Sequence, residues 1–262
     1  MFEGQGVVLE VKPKAASIEI RHQAIPGYMP AMTMPFDVKD TNLLTSLEPG
    51  DQVVFRLVVT DTEGWIDQIH KTNAPASSRG RPQPATWRVA RDVQPLEVGD
   101  PLPVYHLTNQ LNQPLDTSQF KGQALAITFL FTRCPYPTFC PRMARSFEET
   151  QQQLLARNNP TNWHLLTVTI DPDFDTPAVL RSYAEAHQYD PAHWSFATGS
   201  LLDITALGEQ FGLTFWHDQT GILSHNLRTA VIDASGKVCK IFTGNDWTSQ
   251  QLAEELRKAA AP

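Results

Sequence analysis

The stretch "ALAITFLFTRCPYPTFCPRM", residues 124–143, decides how the larger part of this chain is read. Residues 124–131 form a continuous apolar run broken only by Thr128, as expected of a strand covered on both faces. Cys134 stands just past its end and Cys140 six positions on, with two prolines restricting the loop between them. After Cys140, Met143, Phe147, Thr150 and Leu154 recur at helical spacing. The segment therefore reads as strand, thiol-bearing loop and helix. A thiol at a helix start feels the positive end of the helix dipole, which favours the thiolate, the form that attacks disulfides and binds metals. The competing reading is two inert, buried cysteines.

Further along, "WHLLTVTI" predicts a strand and "TPAVLRSYAEAH" a helix with Pro177 in its first turn. "RTAVIDASGKVCKIF" reads as a hairpin around Ala234, Ser235 and Gly236. The last helix starts near Thr248, with Gln251 placed for a capping box. Strand–helix alternation followed by a hairpin and a helix predicts a thioredoxin-like α/β domain over residues 98–262. Cys239, in mid-hairpin, reads as a core or exposed strand residue. His225 lies directly before the hairpin, where a βα turn and the start of a distant strand can meet at one sheet edge; thiolates with an imidazole suit copper or zinc.

Upstream, residues 72–97 are rich in Pro, Ser and Arg and read as a linker, with Trp87 and Val89 as candidates for docking on a domain. Residues 1–71 read as a small all-β domain. "SIEIRH" alternates, "DQVVFRLVV" is β-branched, and "LEPGD" and "DTEGW" are turns, which together suggest an OB-like barrel. Within it, "GYMPAMTMPF" (27–36) concentrates three of the five Met of the chain. Met32 and Met34 point the same way on an extended chain, Met29 precedes a proline, and His22 ends the preceding strand. Thioethers are soft donors that select Cu(I), and an imidazole completes a mixed site. A Met-lined core is the alternative.

Composition narrows the field. A formal charge of −7 and a pI near 5.6 argue against nucleic-acid binding. No apolar run approaches the roughly 20 residues that span a bilayer. "MFEGQG" has no signal-peptide pattern. Three Cys is an odd number and does not build a disulfide framework.

The segments "FLFTRCPYPTFCPRM", "TVTIDPDFDTPAVLRSYA", "GILSHNLRTAVIDASGKV" and "GNDWTSQQLAEEL" together resemble the Sco/SenC family over about residues 98–262. The resemblance implies a thioredoxin-like copper-binding protein that helps assemble the CuA centre of cytochrome c oxidase, some members acting as thiol-disulfide reductases. It carries the copper ligands over to Cys134, Cys140 and His225, and a tuning or structural aspartate to Asp171. The family motif has three residues between its cysteines, whereas five stand here. His22 followed by "PAMTMPF" and "LEPGDQVVF" resembles the CusF-like copper-binding barrels, which implies Cu(I) held by His22, Met32 and Met34. Met29 stands where that family has a capping Trp; Tyr28 and Trp65 are the nearest aromatic candidates.

The expectation is a copper metallochaperone with Cu(I) in both domains, and Cu(I) or Cu(II) in the second. Its expected partner is the oxidase subunit carrying CuA, with periplasmic copper chaperones or thiol reductants beside it. The expected location is a bacterial periplasm, reached by a leader or lipid anchor. The alternatives are a thiol-disulfide reductase using Cys134 and Cys140, and a copper buffer; a peroxiredoxin fits less well.

Overall fold

A computed structural model describes residues 1–13, 16–29, 31–60, 64–72, 93–156, 159–217 and 223–261. These fall into two compact units on either side of the boundary between residues 86 and 87. Trp87 and Val89, the "DTEGW" turn before Gly64 and most of the expected linker lie outside the described residues.

The first unit is a closed barrel of five strands: β1 (Phe2–Lys12), β2 (Ser17–His22), β3 (Met32–Val38), β4 (Gln52–Val59) and β5 (Gly64–Lys71), in the order β1-β2-β3-β5-β4. Closure leaves the sheet without open edges. The expected alternation holds: Ile18, Ile20, Phe36, Val53, Phe55, Leu57, Ile66 and Ile69 are buried. Gly6 lies opposite His22 in the β1–β2 register. A Cβ there would come within 2.6 Å of the Arg21 carbonyl and 2.8 Å of the His22 Cα, so glycine is what lets the two backbones pair at this point.

The second unit carries a seven-stranded sheet. Its elements are β6 (His106–Asn109), β7 (Pro114–Asp116), β8 (Ala124–Leu130), α1 (Cys140–Leu155), β9 (Trp163–Thr169), α2 (Pro177–Ala186), β10 (Trp194–Thr198), α3 (Leu201–Gln210), β11 (Phe215–His217), β12 (Leu223–His225), β13 (Arg228–Ile232), β14 (Val238–Thr243) and α4 (Ser249–Ala259). The sheet order is β14-β13-β8-β9-β10-β6-β7, with β11 and β12 forming a separate ribbon. β8, β9 and β10 run parallel, and β13 pairs antiparallel with both β8 and β14. This is the thioredoxin-like α/β layer expected from the sequence. β8 and β9 are buried at every position, as strands covered on both faces must be.

The predicted helix starts are met. The Thr176 hydroxyl accepts from Val179 N ahead of Pro177, and Thr248 and Gln251 form a reciprocal capping box. Gly236 turns the β13–β14 hairpin with φ +89°, a conformation that glycine adopts without strain. The β6–β7 hairpin, β10, α3 and the β11–β12 ribbon go beyond the elements read from the sequence.

Candidate metal centres

β8 ends at Leu130, and the chain crosses the sheet edge before α1 begins at Cys140. Its geometry is set from behind by Asp175, which is fully buried. The Asp175 carboxylate accepts the Thr132 amide at 3.0 Å, the Thr132 hydroxyl, and the Thr169 hydroxyl at 2.5 Å. From outside, the Arg133 guanidinium donates to Asp171 Oδ2 at 2.6 Å and lies 3.9 Å from the centre of the Phe174 ring. The residues just before Cys134 are thus fixed to the loop after β9. Tyr136 and Phe139, both buried, meet edge to face at 5.8 Å and fold the longer loop inward.

Cys140 is fully buried and Cys134 half-buried, and both are free thiols. Each thiol shifts the ionisation of the other, in opposite directions. Burial pushes the Cys134 thiol up, but hydrogen bonds from the Cys140 side chain and from the backbone of Tyr136 and Cys140 outweigh it, so its pKa falls below the ordinary value. Burial, and then the neighbouring Cys134, drive the Cys140 pKa well above it. This corrects the expectation drawn from the helix dipole. The thiol at the helix start keeps its proton, because desolvation in a dry site exceeds a dipole effect of about 1 kcal/mol. Ionisation is favoured instead at Cys134, the more accessible sulfur.

His225 closes the arrangement from the end of β12. Its Nε2 lies 3.6 Å from Cys140 Sγ, and its ring meets Phe131 edge to face at 5.9 Å. Nδ1 is 2.8 Å from the Asn226 carbonyl, which only accepts, so Nδ1 carries the hydrogen and the Nε2 lone pair faces the thiols. Burial lowers the His225 pKa to about 4 and keeps the ring neutral. Asn226 also braces the ribbon: its side chain accepts from Thr214 N at 2.9 Å and donates to the Gly212 carbonyl at 3.0 Å. Asn226, next to His225, and Asp175, four residues beyond Asp171, carry no local signal that marks them in the sequence. Among the described residues, no three His, Cys, Asp or Glu side chains form a ready-made metal cage. The convergent set is a thiol pair and one imidazole, with Cys140 beside His225.

The neutral state of His225 has a consequence for stability. His164 is also held neutral, its pKa lowered to about 4 by burial and by nearby His193. Both groups bind a proton near pH 6.5 once unfolded, so their contribution is complete above pH 6.5 and is lost as pH falls toward about 4. The thermal midpoint of the reduced, metal-free second unit is expected to drop between pH 7 and pH 5, and His225→Leu should flatten part of that slope. A slope unchanged in the variant would contradict the assignment.

In the barrel, His22 repeats the device. Its Nδ1–H donates to the Gln23 carbonyl at 2.7 Å, the residue is 2% exposed, and burial lowers its pKa. The Nε2 atom is buried without a hydrogen-bond partner. Since buried polar atoms are nearly always paired, an orphaned imidazole lone pair fits a ligand to an absent cation. Met34 is buried on the inner face with Ile20 and His22, and the backbone of Met32 lies opposite His22 in register. Met29 is buried in the turn closed by its own hydrogen bonds with Ile25. Of the two aromatic candidates, Tyr28 stacks on Phe2, while Trp65 pairs with Asp37, five steps along β3 from Met32, or roughly 16 Å. The Lys39 amine sits 3.4 Å from the Trp65 ring centre. Cys239 donates to the Val231 carbonyl on the neighbouring strand β13.

Fold and donor set together define a thioredoxin-like domain with a dithiol–imidazole cluster at the C-terminal edge of its parallel strands, preceded by a small barrel with a His–Met face. Residues 96–261 match the family SCO1/SenC, and residues 1–71 match the family described as copper binding periplasmic protein CusF. The chain belongs to the SCO1/SenC family and carries a CusF-like domain ahead of it. A SCO1/SenC family lipoprotein from Bacillus anthracis is 27% identical, with a TM-score of 0.56 over 64% of this chain and 98% of that one. ScoI of Bradyrhizobium japonicum, solved with copper bound, is 20% identical, with a TM-score of 0.51 over 62% and 99%. BsSco, a member of the Sco family of cytochrome c oxidase assembly proteins with a disulfide switch, is 23% identical, with a TM-score of 0.53 over 64% and 96%. The last two likenesses show the fold alone.

Proposed function

We propose that this chain is a copper metallochaperone that binds Cu(I) in both domains and delivers copper to the CuA centre of cytochrome c oxidase. The observation that carries the reading is the aim of the His225 Nε2 lone pair at Cys140, beside Cys134 with its lowered pKa. Two sulfurs and a neutral imidazole are the soft and borderline donors that favour copper over hard cations. Membership of the SCO1/SenC family and the match to the copper binding periplasmic protein CusF support copper as the cargo. In the barrel, the orphaned His22 Nε2, with Met34 and Met32 on adjacent register positions and Met29 in the next turn, supports a second Cu(I) site. Residues 1–71 and 98–262 then act as two copper modules, and tethering by residues 72–97 raises the effective concentration of one at the other. The CusF match and the lipoprotein relative support a periplasmic location with an anchor.

Anaerobic titration of the whole chain is expected to show two Cu(I) equivalents. One should remain in Cys134→Ser/Cys140→Ser and one in His22→Ala/Met34→Ala. Two equivalents in the first variant would remove the dithiol site, and two in the second would remove the barrel site.

A second reading, reduction of a target disulfide such as an oxidised CuA ligand pair, is favoured by the unequal thiols. The Cys134 thiolate attacks one target sulfur, forming a mixed disulfide and releasing the other sulfur, which takes up a proton. Cys140, giving up its proton, then attacks Cys134 Sγ and frees the second target thiol. Two electrons pass to the target and a Cys134–Cys140 disulfide is left. His225→Ala separates the readings: copper affinity falls, while reduction of a small disulfide persists.

A further inference from the structure

The corner that follows β14, "GNDW" at 244–247, touches both arms of the dithiol–imidazole cluster. Gly244, at φ +74°, donates its amide to the Leu227 carbonyl at 3.1 Å, two residues beyond His225. Asn245, only 4% exposed, donates its side-chain amide to the carbonyl of Thr138 in the loop between the cysteines, across 107 positions of sequence. Trp247, also buried, anchors the corner with rings 6.4 Å from Phe147 of α1 and 5.4 Å from Phe242 of β14.

We propose that Asn245 is a positioning residue that holds the five-residue cysteine loop at a fixed distance from His225. Five residues between Cys134 and Cys140 leave a loop whose middle needs its own restraint. Its start is held by the Asp175 and Arg133 contacts, and its end by the first turn of α1. Within the loop, the Phe139 amide donates to the Tyr136 carbonyl at 3.0 Å. The Thr138 carbonyl is instead met from outside the loop, by a side chain whose own backbone is pinned next to the His225 segment. Loop and imidazole are therefore tied to one rigid point, and movement of the loop away from His225 must break a buried hydrogen bond. Losing the donor leaves the Thr138 carbonyl with one partner fewer in a poorly solvated place.

This inference rests on reading Cys134, Cys140 and His225 as the copper site, and the test keeps the two apart. Asn245→Ala removes the donor, while Asn245→Asp keeps the shape but sets a carboxylate against a carbonyl. In the full chain carrying His22→Ala/Met34→Ala, Cu(I) affinity is measured by competition with a chromophoric chelator. The dithiol–disulfide equilibrium against dithiothreitol and the thermal midpoint are measured in parallel. Each Asn245 variant is expected to lower Cu(I) affinity about tenfold, on the scale of one buried hydrogen bond. The loss should shrink to less than about twofold when His225→Ala is added, because the tie to the imidazole no longer matters; such cycles isolate a pairwise term. An unchanged affinity with only a lower thermal midpoint would make Asn245 merely structural and overturn the proposal. So would an equal loss with and without His225. If Asn245→Ala does not fold, Asn245→Asp and Asn245→Ser carry the same comparison. Should His225→Ala alone leave Cu(I) affinity intact, the copper-site reading itself fails, a result distinct from either outcome above.

Discussion

Cys140→Ser is expected to weaken Cu(I) binding at the dithiol site by more than about 100-fold, beyond the 10–100-fold typical of losing an outer-shell partner. Cys140 is the shared member of the cluster, 3.6 Å from His225 Nε2 and raised in pKa by the neighbouring Cys134. Serine nearly matches it in size and can still donate to Cys134. The Cys134 thiolate therefore remains favoured while a soft sulfur is exchanged for a hard oxygen. Two measurements divide these effects in a chain whose barrel ligands are also replaced. Chelator competition reads copper affinity, and the pH dependence of Cys134 alkylation reads its ionisation. Affinity should collapse with the alkylation profile moved only slightly. Affinity retained within about tenfold would mean that Cys140 is not a ligand. The same variant should stop turnover of a disulfide substrate at the mixed-disulfide stage, since no second thiol remains to resolve it.

The parts of this site differ in how far they could be read ahead of the structure. The strand at 124–130 and the helix from Cys140 carry their own periodicity, so the place of the thiols followed from local pattern. That His225 reaches them did not, because the contact joins residues 85 positions apart and depends on the β11–β12 ribbon, two three-residue strands with no run long enough to announce them. The direction of the Cys140 shift was misjudged for a related reason. A helix start is visible in sequence, whereas the complete burial of Cys140 is a property of the packed fold. Asp171 was singled out within "IDPDFDTP", yet it is Asp175, four residues later, that is wholly buried beneath the thiol loop. Either carboxylate suits a helix-entry loop, and only the fold distinguishes the one that faces inward. In the barrel, the alternation read in "SIEIRH" is met by buried Ile18, Ile20 and His22. No local pattern could tell that Trp65 would lie near the far end of β3.

Asp175→Ala is expected to destabilise the second unit by about 3–5 kcal/mol, since three buried donors lose their acceptor at roughly 1–3 kcal/mol each. The Asp175 carboxylate gathers the Thr132 amide and the Thr132 and Thr169 hydroxyls, and the residue is fully buried. Alanine would leave those three donors competing for water that cannot easily enter. For a unit of this size, a loss of about 4 kcal/mol corresponds to a midpoint lowered by roughly 8–16 °C. Asp175→Asn should cost less, since its remaining oxygen still accepts while its amide faces donors. The Cys140 thiol adds a readout that stability alone would not supply. Asp175 is among the groups that raise its pKa, after burial and Cys134, so removing the charge should lower that pKa in either variant. Calorimetry of the reduced protein checks the first effect, and thiol titration of a Cys134→Ser/Cys239→Ser background checks the second. A midpoint within about 2 °C of the parent would show that the Thr132 and Thr169 contacts contribute little. An unmoved Cys140 titration would show that the carboxylate acts on the loop through packing rather than charge. The two results together decide whether Asp175 holds the thiol loop in place, sets the proton on its buried sulfur, or does both.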